Sequence, residues 1–422
     1  MQEHLQKILR VLAVRVLARY HPVVIAVAGS VGKTSTRLAV NAAVSKAFRA
    51  QTGAKNFNNE IGVPLSILCE KKTGARNPLI WLAIFVRGAW LAWGPKRSDY
   101  PNALVLEMAT DHHGDIAYLT GIAMPDIAVV TAVSEEHTEF LGDINGVAKE
   151  EGTVVEALDA EGVAILNADD PLVAAMRSRT KAKVMTFGLG ANADVRAEAI
   201  ETEKAMDTYF TRFELVAKGK RATATLSGCI GEGNIYAALA ASAVAISMGV
   251  KTEHVPFSLA AYAPPAGRLC PLPGIGGATL IDDTYNSSPR AAELALKTLM
   301  ALAATSGARR VAVLGDMLEL GELSEAAHRN IGESAAALGI DALVGVGPQS
   351  LLMCEAAAEA GMQKGRIHHF DTAEEAATLL KNQIQSGDVV LIKGSRGMHM
   401  ERAVKPLMAE PERARELLVG QD

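Results

Sequence analysis

Cysteine is scarce in this chain, and its placement excludes most of what cysteine does. Cys69, Cys229, Cys270 and Cys354 stand apart, with no CxxC pair. Neither a zinc knuckle nor a disulfide scaffold follows from that spacing, which suits a reducing cytoplasm. A basic surplus is also missing. With 42 Lys and Arg against 47 Asp and Glu, the net charge is −5, so no nucleic-acid partner is expected. The N-terminal apolar stretch is broken by Arg10, Arg15 and Arg19 and has no cleavage site, so it does not read as a signal peptide. There is no internal repeat, no low-complexity tract and no Asn/Thr-Lys-x-Asp element of the kind that reads guanine.

What is present is a core-forming composition. At 422 residues and 49% hydrophobic, the chain is long enough for two or three domains. Val23–Ala28 is an apolar run that reads as a buried parallel strand. Gly29-Ser30-Val31-Gly32-Lys33-Thr34-Ser35 follows, and a helix is expected over 36–44. Strand, glycine turn, Lys-Thr and helix form the phosphate cradle of P-loop nucleotidases. The glycines let N–H groups converge on phosphate oxygens, Lys33 neutralises their charge, and the Thr34 hydroxyl reaches Mg²⁺. Val27 stands where the general pattern wants a further glycine, leaving the compressed form GxxGKT[ST]. The nucleotide expected is ATP.

Strand and helix alternate from residue 21 onward, as in a mostly parallel α/β sheet. Strands are expected at 23–28, 103–107, 127–132 and 163–166, and an alanine-rich helix at 235–249. Polar alternation over 186–226 predicts one or two antiparallel hairpins at the side of this domain. The proline-rich break Ala261–Arg268 reads as a boundary. Beyond it, strands at 278–282, 310–314, 342–346 and 388–392 predict a Rossmann-like module. The expected organisation is a basic amphipathic helix in residues 1–20, a central P-loop ATPase domain in 21–263 and a C-terminal Rossmann-like domain in 264–422. Two segments stand out. Residues 4–20 are basic and amphipathic, and 78–95 hold all three tryptophans with one charge, Arg87. Two readings stay open for the pair: packing on the protein, or contact with a membrane surface.

Candidate chemistry collects at strand ends, where parallel sheets bind ligands. Glu107 ends one such strand and can hold Mg²⁺ opposite Lys33 and Thr34. His137 follows the next, as a metal ligand, a phosphate contact or a surface histidine. Asp282–Asn286 and Lys393–Gly397 end strands of the second module, and Arg268 sits at the hinge, suited to binding an anion.

Further ordered stretches are Asn56–Pro64, Glu107–Ile116, Leu166–Asp170, Asp282–Asn286, Gly315–Gly321 with His328 after it, and Lys393–Arg396. Together with the P-loop, over about residues 21 to 408, the chain resembles the Mur ligase family, in its D-alanyl-D-alanine-adding branch. The resemblance implies that ATP phosphorylates a substrate carboxylate, and that an amine displaces phosphate from the acyl phosphate to leave an amide. It implies nucleotide contacts from Gly29, Ser30, Gly32, Lys33, Thr34 and Ser35. Magnesium would be held by Thr34, Glu107 and His137, adenosine by Asn234 and Asp283, and phosphates by Arg268. Substrate contacts would come from Asn58, Asn59, Tyr285, Asn286, Lys393, Ser395 and Arg396. The partners implied are a muropeptide or peptide carboxylate and an amine donor, D-alanyl-D-alanine or similar. The enzyme is expected in the cytoplasm, with contact at the inner face of the membrane through 4–20 and 78–95.

The chain departs from the family in several places. Only about twenty residues precede the P-loop strand, so the family's uridine-nucleotide domain is expected to be absent. The acceptor is then left open among UDP-linked, lipid-linked and free peptides. Where the family carries a carbamylated lysine, the equivalent position is Glu151, expected to supply the negative charge directly. Lys149, two residues earlier, is the alternative. Gly233-Asn234, Ala237 and Ser288 also differ from the family's pattern. Two other functions remain open: a peptide- or polyamide-extending ligase outside cell-wall synthesis, and a non-catalytic nucleotide-binding partner at the membrane.

Overall fold

A computed structural model describes residues 2–54, 57–73, 77–206, 208–304 and 307–420. Asn56, in one of the family-like stretches, lies outside them. Among the described residues, fifteen strands form two sheets. The first comprises β1 (Val23–Ala28), β2 (Ala50–Thr52), β3 (Ala103–Glu107), β4 (Ile127–Val130), β5 (Val163–Asn167), β6 (Lys183–Gly188), β7 (Val195–Ala205), β8 (Thr208–Ala217) and β9 (Lys220–Ser227). Their order is β2-β3-β1-β4-β5-β6-β7-β8-β9. All pairs from β2 to β7 are parallel, and β7-β8-β9 is an antiparallel meander on one edge. The hairpins expected from 186–226 are this meander. Lys218 and Gly219, both at positive φ, make the two-residue turn between β8 and β9, which matches the twist of the flanking strands.

The second sheet holds β10 (Cys270–Pro273), β11 (Thr279–Asp283), β12 (Arg310–Gly315), β13 (Ala342–Val346), β14 (Ile367–Phe370) and β15 (Val389–Lys393). Their order is β10-β11-β15-β12-β13-β14, parallel except for β10. The α/β class and the Rossmann-like second module are therefore as the sequence predicts. The central parallel strands of each sheet are covered on both faces, whereas β9 of the meander alternates buried and exposed residues. In β1, Val24, Ala26 and Ala28 join one apolar cluster while Ile25 and Val27 join another on the opposite side. Burial on both faces is why the parallel strands read as continuous apolar runs.

Boundaries move where tertiary contacts decide them. The P-loop helix begins at Lys33, three residues before the expected start, because Gly32 adopts φ 90° and turns the chain straight into it. β4 ends at Val130 rather than 132, and the Ala132 carbonyl instead accepts a bond from the Ser30 amide at 2.7 Å. The alanine-rich helix runs Gly231–Ser247. β11 and β15 each sit one residue later than expected, which makes Asp283 and Lys393 register neighbours.

Candidate active site

The carboxyl ends of the two sheets meet around a cavity of about 510 Å³. The P-loop enters it from β1. Gly29 has φ 117°, and a side chain there would collide with Thr131, so the turn requires glycine. The loop is tied down by the Ser30 hydroxyl, which accepts from the Ser134 amide at 3.1 Å. Lys33 donates to the Ser30 carbonyl at 3.1 Å and faces the cavity. Burial works against its charge, but Glu136, Glu151 and Glu107 together outweigh burial and hold the ammonium above its ordinary value.

Glu107, the last residue of β3, is buried beside the P-loop helix. It accepts from the Thr34 hydroxyl at 3.2 Å, the Asn58 amide at 3.1 Å and Arg37 Nε at 3.1 Å. Oxygen donors of this kind suit Mg²⁺, which takes one or two protein ligands and otherwise keeps water and phosphate oxygens. Among the described residues there is no group of three His, Cys, Asp or Glu that could hold a metal ion by itself. Asn59 lines the same cavity and caps the following turn through the Gly62 amide at 2.9 Å.

Glu151 is buried, and its carboxylate accepts from the Gly29 amide at 2.6 Å. Burial pushes its pKa up to about 7, against the pull of Lys33 and the Gly29 amide. Lys149 is exposed on the same short helix. Of the two candidates, Glu151 is therefore the one at the P-loop. His137 has φ 57°; its Nε2 lies 3.4 Å from Asp111, and its Nδ1 lies 2.8 Å from Glu319 of the second module.

From the second module, Arg268 stacks over the Tyr285 ring at 4.1 Å, and both line the cavity with Asn286. Several polar contacts join the modules along this side. Asn286 donates to Glu136 at 2.8 Å, Thr138 to the Leu320 carbonyl at 3.3 Å and Ser134 to Ser288 at 3.5 Å. Arg290 pairs with Asp170.

Four expected ligand contacts are engaged elsewhere. Lys393 is buried and donates to Asp283 at 2.7 Å and to the Asn286 carbonyl at 2.8 Å, so it does not face a cleft. Asp283 accepts from that lysine and from the Leu269 amide at 3.1 Å. Ser395 is buried between the Leu318 amide and the Ser287 carbonyl. Asn234 is buried, donating to the Ile230 carbonyl and accepting from the Tyr262 hydroxyl at 2.7 Å. Arg396 pairs with Glu401 at 3.0 Å but still borders cavities at the module junction. Ser35 is buried in the first turn of the P-loop helix.

Residues without an expected role line a second cavity of about 230 Å³ beside Gly32, among them Asn167, Tyr236 and Arg290. The signal available was Asn167 at a strand end, the position already used to single out Glu107.

A P-loop on a parallel sheet, with a Rossmann-like module closing over it, defines a nucleotide-binding ATPase-type enzyme of two modules. Family models match in the same two places, the Mur ligase middle domain over residues 96–245 and the Mur ligase glutamate ligase domain over 267–396. The UDP-N-acetylmuramoyl-tripeptide–D-alanyl-D-alanine ligase of Mycobacterium bovis is 32% identical over 404 residues, covering 92% of this chain and 73% of that protein. The ligase of the same name from Escherichia coli is 32% identical over 391 residues, covering 91% and 76%. The crystal structure of MurF ligase from Thermotoga maritima in complex with ADP superposes with a TM-score of 0.78 at 26% identity, covering 97% of this chain and 84% of that one. The chain belongs to the Mur ligase family, in its MurF branch. It is an ATP-dependent amide-bond ligase of peptidoglycan precursor synthesis.

Proposed function

We propose that the protein joins D-alanyl-D-alanine, or a similar amine, to the peptide carboxylate of a muropeptide. The observation that carries this reading is the single cavity into which Lys33, Glu107, Arg268, Tyr285 and Asn286 all open from the two modules. A carboxylate oxygen of the acceptor attacks the γ-phosphorus of ATP and ADP departs. The amine nitrogen then attacks the acyl carbon, loses a proton and expels phosphate. Both steps depend on positioning and on charge stabilisation.

The P-loop amides and Lys33 hold the phosphates, and Arg268 neutralises charge from the opposite wall. Thr34 and Glu107, with His137 on the rim, would hold Mg²⁺, which when bound offsets charge on the transferring phosphoryl group. Asn58, Asn59 and Asn286 orient the acceptor, and Arg396 borders the approach of the amine. Adenosine fits the cavity beside Gly32, near Asn167 and Tyr236. In this reading the central domain spans 21–263 and the ligase domain 264–422. The enzyme works in the cytoplasm and touches a membrane surface through 4–20 and 78–95.

Phosphate release and product mass, measured with ATP, Mg²⁺, D-alanyl-D-alanine and UDP-N-acetylmuramoyl-tripeptide, test this. A product heavier by the dipeptide less water is expected. Phosphate release that ignores both peptide substrates would overturn the reading.

A further inference from the structure

The helix Pro78–Trp93 lies on the N-terminal helix Gln2–Tyr20, and both lie on the first sheet's core. Leu9, Leu12 and Val16 are buried on one helix, Ile84 and Leu91 on the other. Gly88 permits the close approach, since a Cβ there would sit 3.0 Å from Leu12. Arg19 donates to the Ala92 carbonyl at 2.9 Å, capping the end of the tryptophan-rich helix. Packing on the protein therefore accounts for the inner faces alone.

The outer face of Pro78–Trp93 is apolar and open. Leu79, Leu82, Val86, Trp90 and Trp93 are 58–74% exposed, at helical spacing. On the N-terminal helix Ile8, Val11 and Val14 are also exposed. A stripe of this kind ordinarily marks an interaction surface.

Charge identifies what covers it. Segments 1–20 and 70–99 hold ten of the chain's Lys and Arg and only three of its acids, a net of +7 in a chain of −5. Lys71 and Lys72 precede the helix, Lys96 and Arg97 follow it, and all four are exposed. The helix has 16 residues, about 24 Å at 1.5 Å each, short of a bilayer's hydrocarbon core of about 30 Å. Among the described residues no helix is long and apolar enough to cross a membrane. An apolar face with tryptophans, flanked by cations and too short to span, fits the plane of a lipid interface.

We infer that this helix pair is an interfacial anchor for an anionic phospholipid surface. The Trp90 and Trp93 rings lie at headgroup depth, and the flanking Lys and Arg side chains lie against lipid phosphates. The anchor deepens the membrane contact of the proposed function but uses none of the ligase residues.

All three tryptophans are on this helix, so tryptophan fluorescence of the full chain, excited selectively over tyrosine, reports on it alone. With vesicles of phosphatidylcholine and phosphatidylglycerol, a blue shift and co-sedimentation are expected. Vesicles of phosphatidylcholine alone should bind at least about tenfold more weakly, as should W90E/W93E or K96E/R97E on the mixed vesicles. ATP turnover in the variants should equal wild type, showing that they fold; loss of turnover everywhere would count against the ligase reading and not against the anchor. Equal binding to both vesicles overturns the anionic assignment. Absence of binding to either, or a blue shift that follows protein concentration without lipid, overturns the anchor; the second result would assign the face to another copy of the chain.

Discussion

The Glu151 carboxylate accepts a hydrogen bond from the Gly29 amide at 2.6 Å, joining positions 122 residues apart at the mouth of the P-loop. The contact places a buried acid against the first glycine of the phosphate cradle and within the field of Lys33. A glutamine at 151 keeps the acceptor oxygen but loses the charge. E151Q should therefore fold normally and lose about tenfold or more in turnover, some 1.4 kcal/mol of transition-state stabilisation. E151A should in addition lose about 1–3 kcal/mol of stability, because the Gly29 amide is left unsatisfied. Phosphate-release kinetics and urea melts measure the two effects separately. Full activity in E151Q would remove Glu151 from the mechanism.

Glu107 balances Arg37 in the interior while presenting oxygen beside Thr34. E107Q should raise the Mg²⁺ concentration needed for half-maximal turnover about tenfold. It should also lower stability by about 3 kcal/mol, since Arg37 loses its buried counter-charge. A magnesium titration with an unchanged midpoint would take Glu107 out of the metal site.

Lys393 and Asp283 are neighbours on adjacent strands, and neither reaches solvent freely. K393M should cost about 3–5 kcal/mol in denaturant unfolding by stranding Asp283. KM for the amine should stay within about twofold in whatever protein remains folded. A large rise in KM with unchanged stability would restore the substrate role read from the sequence.

Asp282 is fully buried, with one carboxylate oxygen facing Thr284 and the other without a hydrogen-bond partner among the described residues. Burial pushes its pKa up to about 7 from an ordinary 3.8. The folded state thus favours the protonated form. Stability from this group is complete below the ordinary value and is lost as pH rises through about 7, by on the order of 3–4 kcal/mol. D282N, neutral at every pH, should match wild type near pH 4 and melt at a higher temperature at pH 8.5. Parallel melting curves across that range would show that Asp282 does not titrate as described.

The sequence made legible whatever depends on local pattern. The apolar run of β1, the glycines, and Lys33-Thr34 announce the cradle, and Glu107 stands out because a charge ends a buried strand. It left illegible which partner each polar side chain takes. Lys393 looks like a cleft residue in a Lys-Gly-Ser-Arg run. A one-residue change in strand end puts it opposite Asp283, and burial of the pair follows. Asn234 carries the right chemistry for a base contact, but Tyr262, 28 residues on, claims its oxygen. The tryptophan-rich segment admitted two readings because sequence cannot divide one helix between two environments.

The seam between the modules differs from one end to the other. Beside the P-loop it is made of Glu136–Asn286, Thr138–Leu320, Ser134–Ser288 and Asp170–Arg290. Elsewhere on the seam Ile230 of the first module joins the apolar cluster of the second with Leu296 and Leu299, and Tyr209, packed on that cluster, meets the Thr279 hydroxyl at 3.2 Å. Water can hydrate these polar groups once they are exposed, but has nothing to offer Ile230. Exposing Ile230 therefore costs more than exposing the polar pairs, and the apolar contact is the part of the seam that most resists being parted.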